Sequence, residues 1–292
     1  VIAEPLESDG QFATFVVGAS NRLAHAAARR VADAAGNDAP RAAENPLVLV
    51  GGPGLGKTHL LSAIAQQTRQ VHPALRVALA RADEVLIPVR QVDLLLLDDL
   101  QCVAGQHDAQ AELLHRMQGG GGQLVMASDR HPSAIPDLDP RLSARLCGGL
   151  VIDVGEPDVA TRLAILHQSA RERGWSFPAG VLHAVAKVAC ANVRELKGAL
   201  NWLAAYRQFA GAPIRPADVR AILGDPSVRG HSAFRDPEQV AAAERRLNER
   251  LTRRSAAVDQ RSDGVFDAFF LDTEKVHWDW PDLGDRLSEE SR

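Results

Sequence analysis

The stretch G-G-P-G-L-G-K-T, Gly51 to Thr58, constrains this chain more than any other feature. It fits the pattern G-x-x-x-x-G-K-[ST], and it stands between an apolar run, Leu47–Val50, and a stretch of helical character. Glycines in such a loop let successive backbone N–H groups turn inward around phosphate oxygens. The N-terminus of the following helix adds partial positive charge at the same point. Lys57 is placed to reach the β- and γ-phosphates of a nucleotide, and Thr58 to present its hydroxyl to Mg²⁺. The candidate nucleotide-binding residues are thus Gly51, Gly52, Gly54, Gly56, Lys57 and Thr58. ATP or ADP with Mg²⁺ is the expected cofactor.

A loop of this kind belongs at the carboxyl end of a strand in an α/β sheet, and the flanking sequence agrees. From Leu47 to Val154 short apolar runs alternate with helical stretches, the pattern of a parallel sheet covered on both faces. The strand candidates are 47–50, 77–80, 93–97, 123–128 and 150–154, and their near-continuous Leu and Val content suits burial on both sides. The third ends in V-D-L-L-L-L-D-D-L, Val92 to Leu100. A carboxylate at the end of a buried strand, Asp98, can hold Mg²⁺ and its water shell, while Asp99 can polarise an attacking water. From Pro157 the texture becomes helical throughout, with Val193, Leu196, Leu200 and Leu203 forming one apolar stripe. Pro157, Pro178 and Pro216 sit where helices can begin. The four glycines Gly119–Gly122 suit a turn.

After Gly224 the signals of a core stop. Asp236-Pro237-Glu238 suits the start of a helix to about Ala257, with arginines at 245, 246, 250, 253 and 254 alternating with Glu244 and Glu249 on a solvated face. The last thirty residues are acidic and carry Phe266, Phe269, Phe270, Trp278 and Trp280, which can act as anchors on a partner or pack as a strand or turn folded back on the chain's own body. A net charge of −4 excludes a chain that is basic throughout. Cys102, Cys147 and Cys190 form no C-x-x-C pair and are expected as buried small residues in a reducing compartment. No run approaches the ~18 apolar residues of a membrane span, and the start lacks a basic-then-apolar leader. No membrane contact is expected, and the protein is placed in the cytoplasm. Neither a zinc motif nor a nucleophile motif appears.

Six segments, in order, resemble the ATPase module of the DnaA/Hda family. They are F-V-V-G-A-S-N-R-L-A-H-A-A-A from Phe15, the loop G-G-P-G-L-G-K-T-H-L-L (Walker A), L-L-D-D-L-Q (Walker B), A-S-D-R-H-P from Ala127 (sensor 1), D-P-R-L-S-A-R-L from Asp139, and N-V-R-E-L-K-G-A-L-N from Asn192 (sensor 2). The resemblance implies a P-loop AAA+ three-layer α/β fold with a parallel five-stranded sheet, followed by a small all-helical lid. It implies catalytic roles for Asp99, Asp129 beside the γ-phosphate and Arg145 as an arginine finger offered to a neighbouring subunit, with Arg141 as a second interface charge. It places Val17 and Asn21 beside the adenine and Arg194 on the nucleotide from the lid. Arg194 follows Val193 by one position and need not face the lid core.

The expected organisation is a tail over 1–11, a nucleotide-binding domain over 12–156 with its linker and first helix at 12–45, a lid over 157–223 and an extension over 224–292. Between the second and third strands there is only R-A-D-E-V-L-I-P-V-R-Q, where the family carries a further helical insertion. Nothing after Gly224 offers a basic recognition helix, so sequence-specific binding to duplex DNA is not expected. The resemblance therefore implies a slow ATPase, completed by a finger in trans, that regulates replication initiation. Its partner would be itself or a full-length DnaA, with a second replication or regulatory protein at the tail. The alternatives are a non-hydrolysing adaptor and a helicase-loader-like protein that binds single-stranded DNA.

Overall fold

The computed structural model describes residues 10–35, 45–84, 92–118, 122–188, 192–210 and 213–223. Five strands form one parallel sheet: β1 Leu47–Val50, β2 Val77–Arg81, β3 Leu94–Asp98, β4 Gln123–Ser128 and β5 Leu150–Asp153. Their spatial order is β2-β3-β4-β1-β5. Leu47 of β1 stands opposite Val125 on one side and Leu150 on the other. Because all five strands run the same way, their carboxyl ends share one edge of the sheet. Gly51, Asp99, Asp129 and Val154 leave from that edge.

Alternation along each strand divides the core into two layers. Leu47, Leu49, Leu94, Leu96, Val125 and Ile152 face one side, packed with residues of α1 Arg22–Ala34 and α2 Lys57–Val71. Val48, Val50, Leu95, Leu97, Leu124 and Met126 face the other, with Leu113 of α3 His107–Gln118 and with Leu142 and Leu146 of α4 Pro140–Cys147. Helices on both faces of a parallel sheet make the three-layer α/β arrangement expected from the sequence. β1 and β3 are buried at every residue, which is why they carry no polar alternation.

The remaining helices among the described residues are α5 Val159–Glu172, α6 Val181–Lys187, α7 Val193–Ala210 and α8 Val219–Ile222. Contacts divide the chain into two units, 1–174 with 189–198, and 175–188 with 199 onward. α5 and the start of α7 thus belong with the sheet. In the second unit Val181, Leu182, Val185, Ala186, Leu200, Leu203, Ile214 and Val219 are buried, and Trp202 donates its indole N–H to Ile222 O at 2.9 Å.

Several boundaries differ from expectation. β2 and β3 each run on, to Arg81 and Asp98, because those two residues are paired across the strands. Pro157 does not open a helix. Asp158 caps α5, its carboxylate accepting from the Thr161 N–H at 2.7 Å. Pro178 precedes the Gly180 cap of α6, and only Pro216 starts its element, a 3-10 turn over Pro216–Asp218. The buried-cysteine expectation also fails, since Cys102 is half-buried and Cys147 exposed. Leu142 and Leu146 take the core face of α4, and Cys147, one position on, is turned about 100° away. Cys190, Gly119–Gly121, most of the short link after β2 and everything from residue 224 onward lie outside the described residues. Among the described residues no helix is long and apolar enough to cross a membrane.

Candidate functional site

The loop after β1 is fixed from three sides. Gly51 donates its N–H to Ser128 O at the end of β4, 3.1 Å away. It lies so close to Val154 that a Cβ would stand 2.4 Å from that residue's carbonyl oxygen. Gly56, the residue before α2, has φ +97°, and a Cβ there would meet Phe15 at 3.1 Å. Gly56→Ala should therefore destabilise the protein by about 1–3 kcal/mol through backbone strain. Thermal unfolding without nucleotide checks this, and an unchanged melting temperature would mean that the loop relaxes freely.

Lys57 folds back over this loop and donates from Nζ to Gly51 O at 2.6 Å and Gly52 O at 2.8 Å. Its side chain is almost wholly buried, and burial pushes its pKa down. Asp98, Asp99 and Asp129 oppose that by pulling it up, while Arg194 pushes it further down. One ammonium, three carboxylates and one guanidinium thus share one field.

Thr58 Oγ1 donates to Asp98 Oδ2 at 2.5 Å, joining the first turn of α2 to the end of β3. Asp98 is buried, and its other oxygen accepts from the Asp99 N–H at 3.0 Å. That last bond needs the chain to turn sharply, and Asp99 has left-handed backbone angles, φ 54° and ψ 53°. Magnesium takes one or two protein carboxylates and fills its remaining positions with water and phosphate oxygens. A hydroxyl beside a single buried carboxylate is a donor set of that kind, so the residues present fit the ion.

β4 lies between β1 and β3, so Asp129 leaves the sheet between the loop and the two carboxylates. Its side chain accepts two hydrogen bonds from Arg130, at 2.8 and 2.9 Å. Those bonds hold its carboxyl below the usual range against the opposing effect of burial, and Lys57 adds to the lowering. Asp129 also donates its backbone N–H to Gln101 Oε1 at 3.1 Å, and Gln101 Nε2 donates to Asp99 Oδ1 at 2.9 Å.

Arg194, exposed at the start of α7, acts on Lys57 through its charge. Asn192 Oδ1 accepts from the Glu195 N–H at 2.9 Å, capping that helix, and the Val193 N–H donates to Gly54 O at 3.1 Å. Gly54, at φ +72°, leaves no room for a side chain, since a Cβ would lie 2.8 Å from Asn192 Oδ1 and 3.2 Å from Arg194 Cβ.

Before α1 the chain lies against the loop. Val17 is 43% exposed. Asn21 is buried and spends its amide on the chain itself, accepting from the Gly18 N–H at 2.8 Å and donating to Val16 O at 3.0 Å. It shapes the segment around Val17. Phe15 stacks on His25 at 5.6 Å and meets His59 edge-on at 5.3 Å. His59, next after Thr58, has its Nε2 2.8 Å from Gln11 O, and burial lowers its pKa. Sequence reasoning missed Gln101 and this aromatic cluster. Asn192-Val-Arg-Glu195 did carry a signal, the N-x-x-E spacing of a helix cap.

Arg145 and Arg141 are apart from this group. Arg145 is exposed in the last turn of α4. Arg141 is bound at the start of the same helix to Asp139, whose pKa it holds down at about 2.

Comparison with known proteins decides the family. The family model of the bacterial DnaA ATPase domain matches residues 6–89 and 83–153. The chain belongs to the bacterial DnaA ATPase-domain family. It is 38% identical over 244 residues to the chromosomal replication initiator DnaA of Gloeobacter violaceus, covering 77% of this chain and 54% of that protein. The crystal structure of domain III of Thermotoga maritima DnaA superposes with a TM-score of 0.67 at 33% identity, covering 76% of this chain and 98% of that one. A structure of DnaA bound to AMPPCP and single-stranded DNA gives 0.61 at 28% identity, over 71% of this chain and 68% of that one. The chain spans about half the length of the curated DnaA relatives it matches. Membership in a DnaA ATPase-domain family implies a nucleotide site.

Proposed function

We propose that this chain binds Mg·ATP, hydrolyses it slowly, and uses the nucleotide state to regulate replication initiation through contacts with DnaA-type ATPase modules. The observation that carries this is the Thr58–Asp98 hydrogen bond, with Lys57 held among Asp98, Asp99 and Asp129. The loop amides from Gly51 to Gly56 and the Lys57 ammonium take the phosphates, with Thr58 and Asp98 as the magnesium donors. Magnesium, when bound there, would supply positive charge to offset the negative charge of the phosphates. Asp99 orients a water and takes its proton. The water oxygen bonds to the γ-phosphorus as the bond to the bridging oxygen breaks, and ADP leaves with that electron pair. Asp129 helps to place the water, Arg194 registers the nucleotide from α7, and Val17 and Asn21 shape the side where the base lies.

Arg145, exposed and outside this group, is assigned to a neighbour's site. A finger of this kind accelerates hydrolysis roughly 10³–10⁵-fold. Arg145→Ala should therefore leave the slow rate of a dilute subunit unchanged. It should remove the acceleration seen when the protein's own concentration is raised or full-length DnaA is added. Turnover assays across a concentration series test this, and a wild-type rate independent of both additions would sink the trans-finger model.

The similarity to a DnaA bound to single-stranded DNA favours a second reading, in which this chain grips single strands as well. Titration of a labelled oligonucleotide at two salt concentrations distinguishes them: salt-dependent affinity supports it and none removes it. Finding a partner for the acidic, aromatic tail calls for a pull-down with and without the last thirty residues, in ATP and in ADP.

A further inference from the structure

Gln101 has no part in the scheme above. It lies in the 3-10 turn Leu100–Val103 that follows β3, yet its carboxamide spans two strand ends. Nε2 donates to the carboxylate of Asp99, and Oε1 accepts from the backbone of Asp129. These partners leave the adjacent strands β3 and β4. A carboxamide suits that bridge because it sets a donor and an acceptor side by side, whereas a carboxylate only accepts and an ammonium only donates.

We propose that Gln101 is a positioning residue for hydrolysis, holding the Asp99 carboxylate in one orientation and tying that orientation to the place of the Asp129 backbone. The inference rests on the proposed ATPase activity. Asp99 occupies a left-handed backbone, a conformation that costs a non-glycine residue about 1–2 kcal/mol and persists only when its surroundings over-determine it. Its main chain is fixed by the bond to Asp98 and by the Cys102 N–H donating to Asp99 O at 2.8 Å. Among the described residues, only Gln101 makes a side-chain hydrogen bond to the Asp99 carboxylate. Without it the acid is free to rotate, and a shift of about 1 Å in a reacting group costs on the order of 100-fold in rate. The same bridge makes the acid respond to Asp129, so that displacing one strand end turns the other residue's carboxylate.

The test uses the full chain as wild type, Gln101→Ala and the isosteric Gln101→Glu, which keeps the shape should the smaller residue disturb folding. Three quantities are measured: kcat at high protein concentration, affinity for a fluorescent ATP analogue with magnesium, and hydrogen exchange at single backbone amides without nucleotide. Both variants should lose about 10–100-fold in kcat, with affinity within about twofold of wild type in Gln101→Ala; Gln101→Glu also sets a negative charge beside Asp99 and weakens affinity for the phosphates. Exchange at the Asp129 amide should quicken roughly fivefold in Gln101→Ala, the worth of one hydrogen bond, and stay as it was in Gln101→Glu, whose carboxylate still accepts from that N–H; the Gly51 amide, bonded to Ser128, stays as it was in both. Where the wild type hydrolyses ATP, unchanged kcat in the variants overturns the proposal, as does a loss of affinity in Gln101→Ala equal to its loss of rate. If the wild type shows no turnover, the ATPase activity itself falls. Exchange then decides the bridge, and unaltered protection at Asp129 in Gln101→Ala overturns it.

Discussion

Lys57→Ala is expected to weaken binding of Mg·ATP by at least about 100-fold, or roughly 3 kcal/mol, the scale of one or two charge-assisted hydrogen bonds to phosphate. Its ammonium is buried against the carbonyls of its own loop and faces three carboxylates. Removing it subtracts a donor and also leaves negative charge beside the negative phosphates. The loss should be greater for ATP than for ADP, because the lysine is assigned to the β- and γ-phosphates. Titration with fluorescent analogues of both nucleotides measures the two losses. Equal, small losses would show that the loop amides carry the phosphates unaided.

Asp99→Asn should leave nucleotide affinity nearly unchanged and lower hydrolysis by about 10²–10⁴-fold, the usual contribution of a general base. Asparagine is the suitable first substitution, because it tolerates left-handed backbone angles far better than alanine does. It also keeps an oxygen within reach of Gln101. Asp99→Ala removes the carboxylate and strains the turn, so it is the stronger test of the alternative, a non-hydrolysing adaptor. An adaptor would keep its partner binding in both variants and show no turnover to lose. Single-turnover assays with radiolabelled ATP read the first quantity, and pull-downs of DnaA in each nucleotide state read the second. Hydrolysis at the wild-type rate in Asp99→Asn would remove this residue from the chemistry.

The sheet was legible in the sequence because strands buried on both faces must be apolar at successive residues, and Leu94–Leu97 is such a run. The loop was legible because its glycines and lysine follow from the shape and charge of phosphate. Strand ends were less so. Asp98 is polar and its place on β3 depends on pairing with Arg81, which hydropathy does not report. At Pro157 two signals competed, and the side-chain cap of Asp158 was the stronger. Gln101 was invisible for another reason: its partner Asp129 lies far along the chain, and only the adjacency of β3 and β4 brings them together. Asn21 illustrates the reverse case. The resemblance implies a place beside the adenine, but the amide is committed to Val16 and Gly18, so what it holds directly is its own backbone.

Gly52 and Gly54 occupy two of the four unrestricted places in the G-x-x-x-x-G-K-T pattern, and the fold treats them differently. Around Gly52 the nearest atom to an added Cβ is 3.8 Å away, whereas Gly54 is hemmed in by Asn192 and Arg194. A Cβ at the first would clash with none of the described residues. It is barred at the second, unless Asn192 and the start of α7 change with it. A position that the motif leaves open is closed by a helix nearly 140 residues further along the chain, so the loop and that helix are constrained to evolve together.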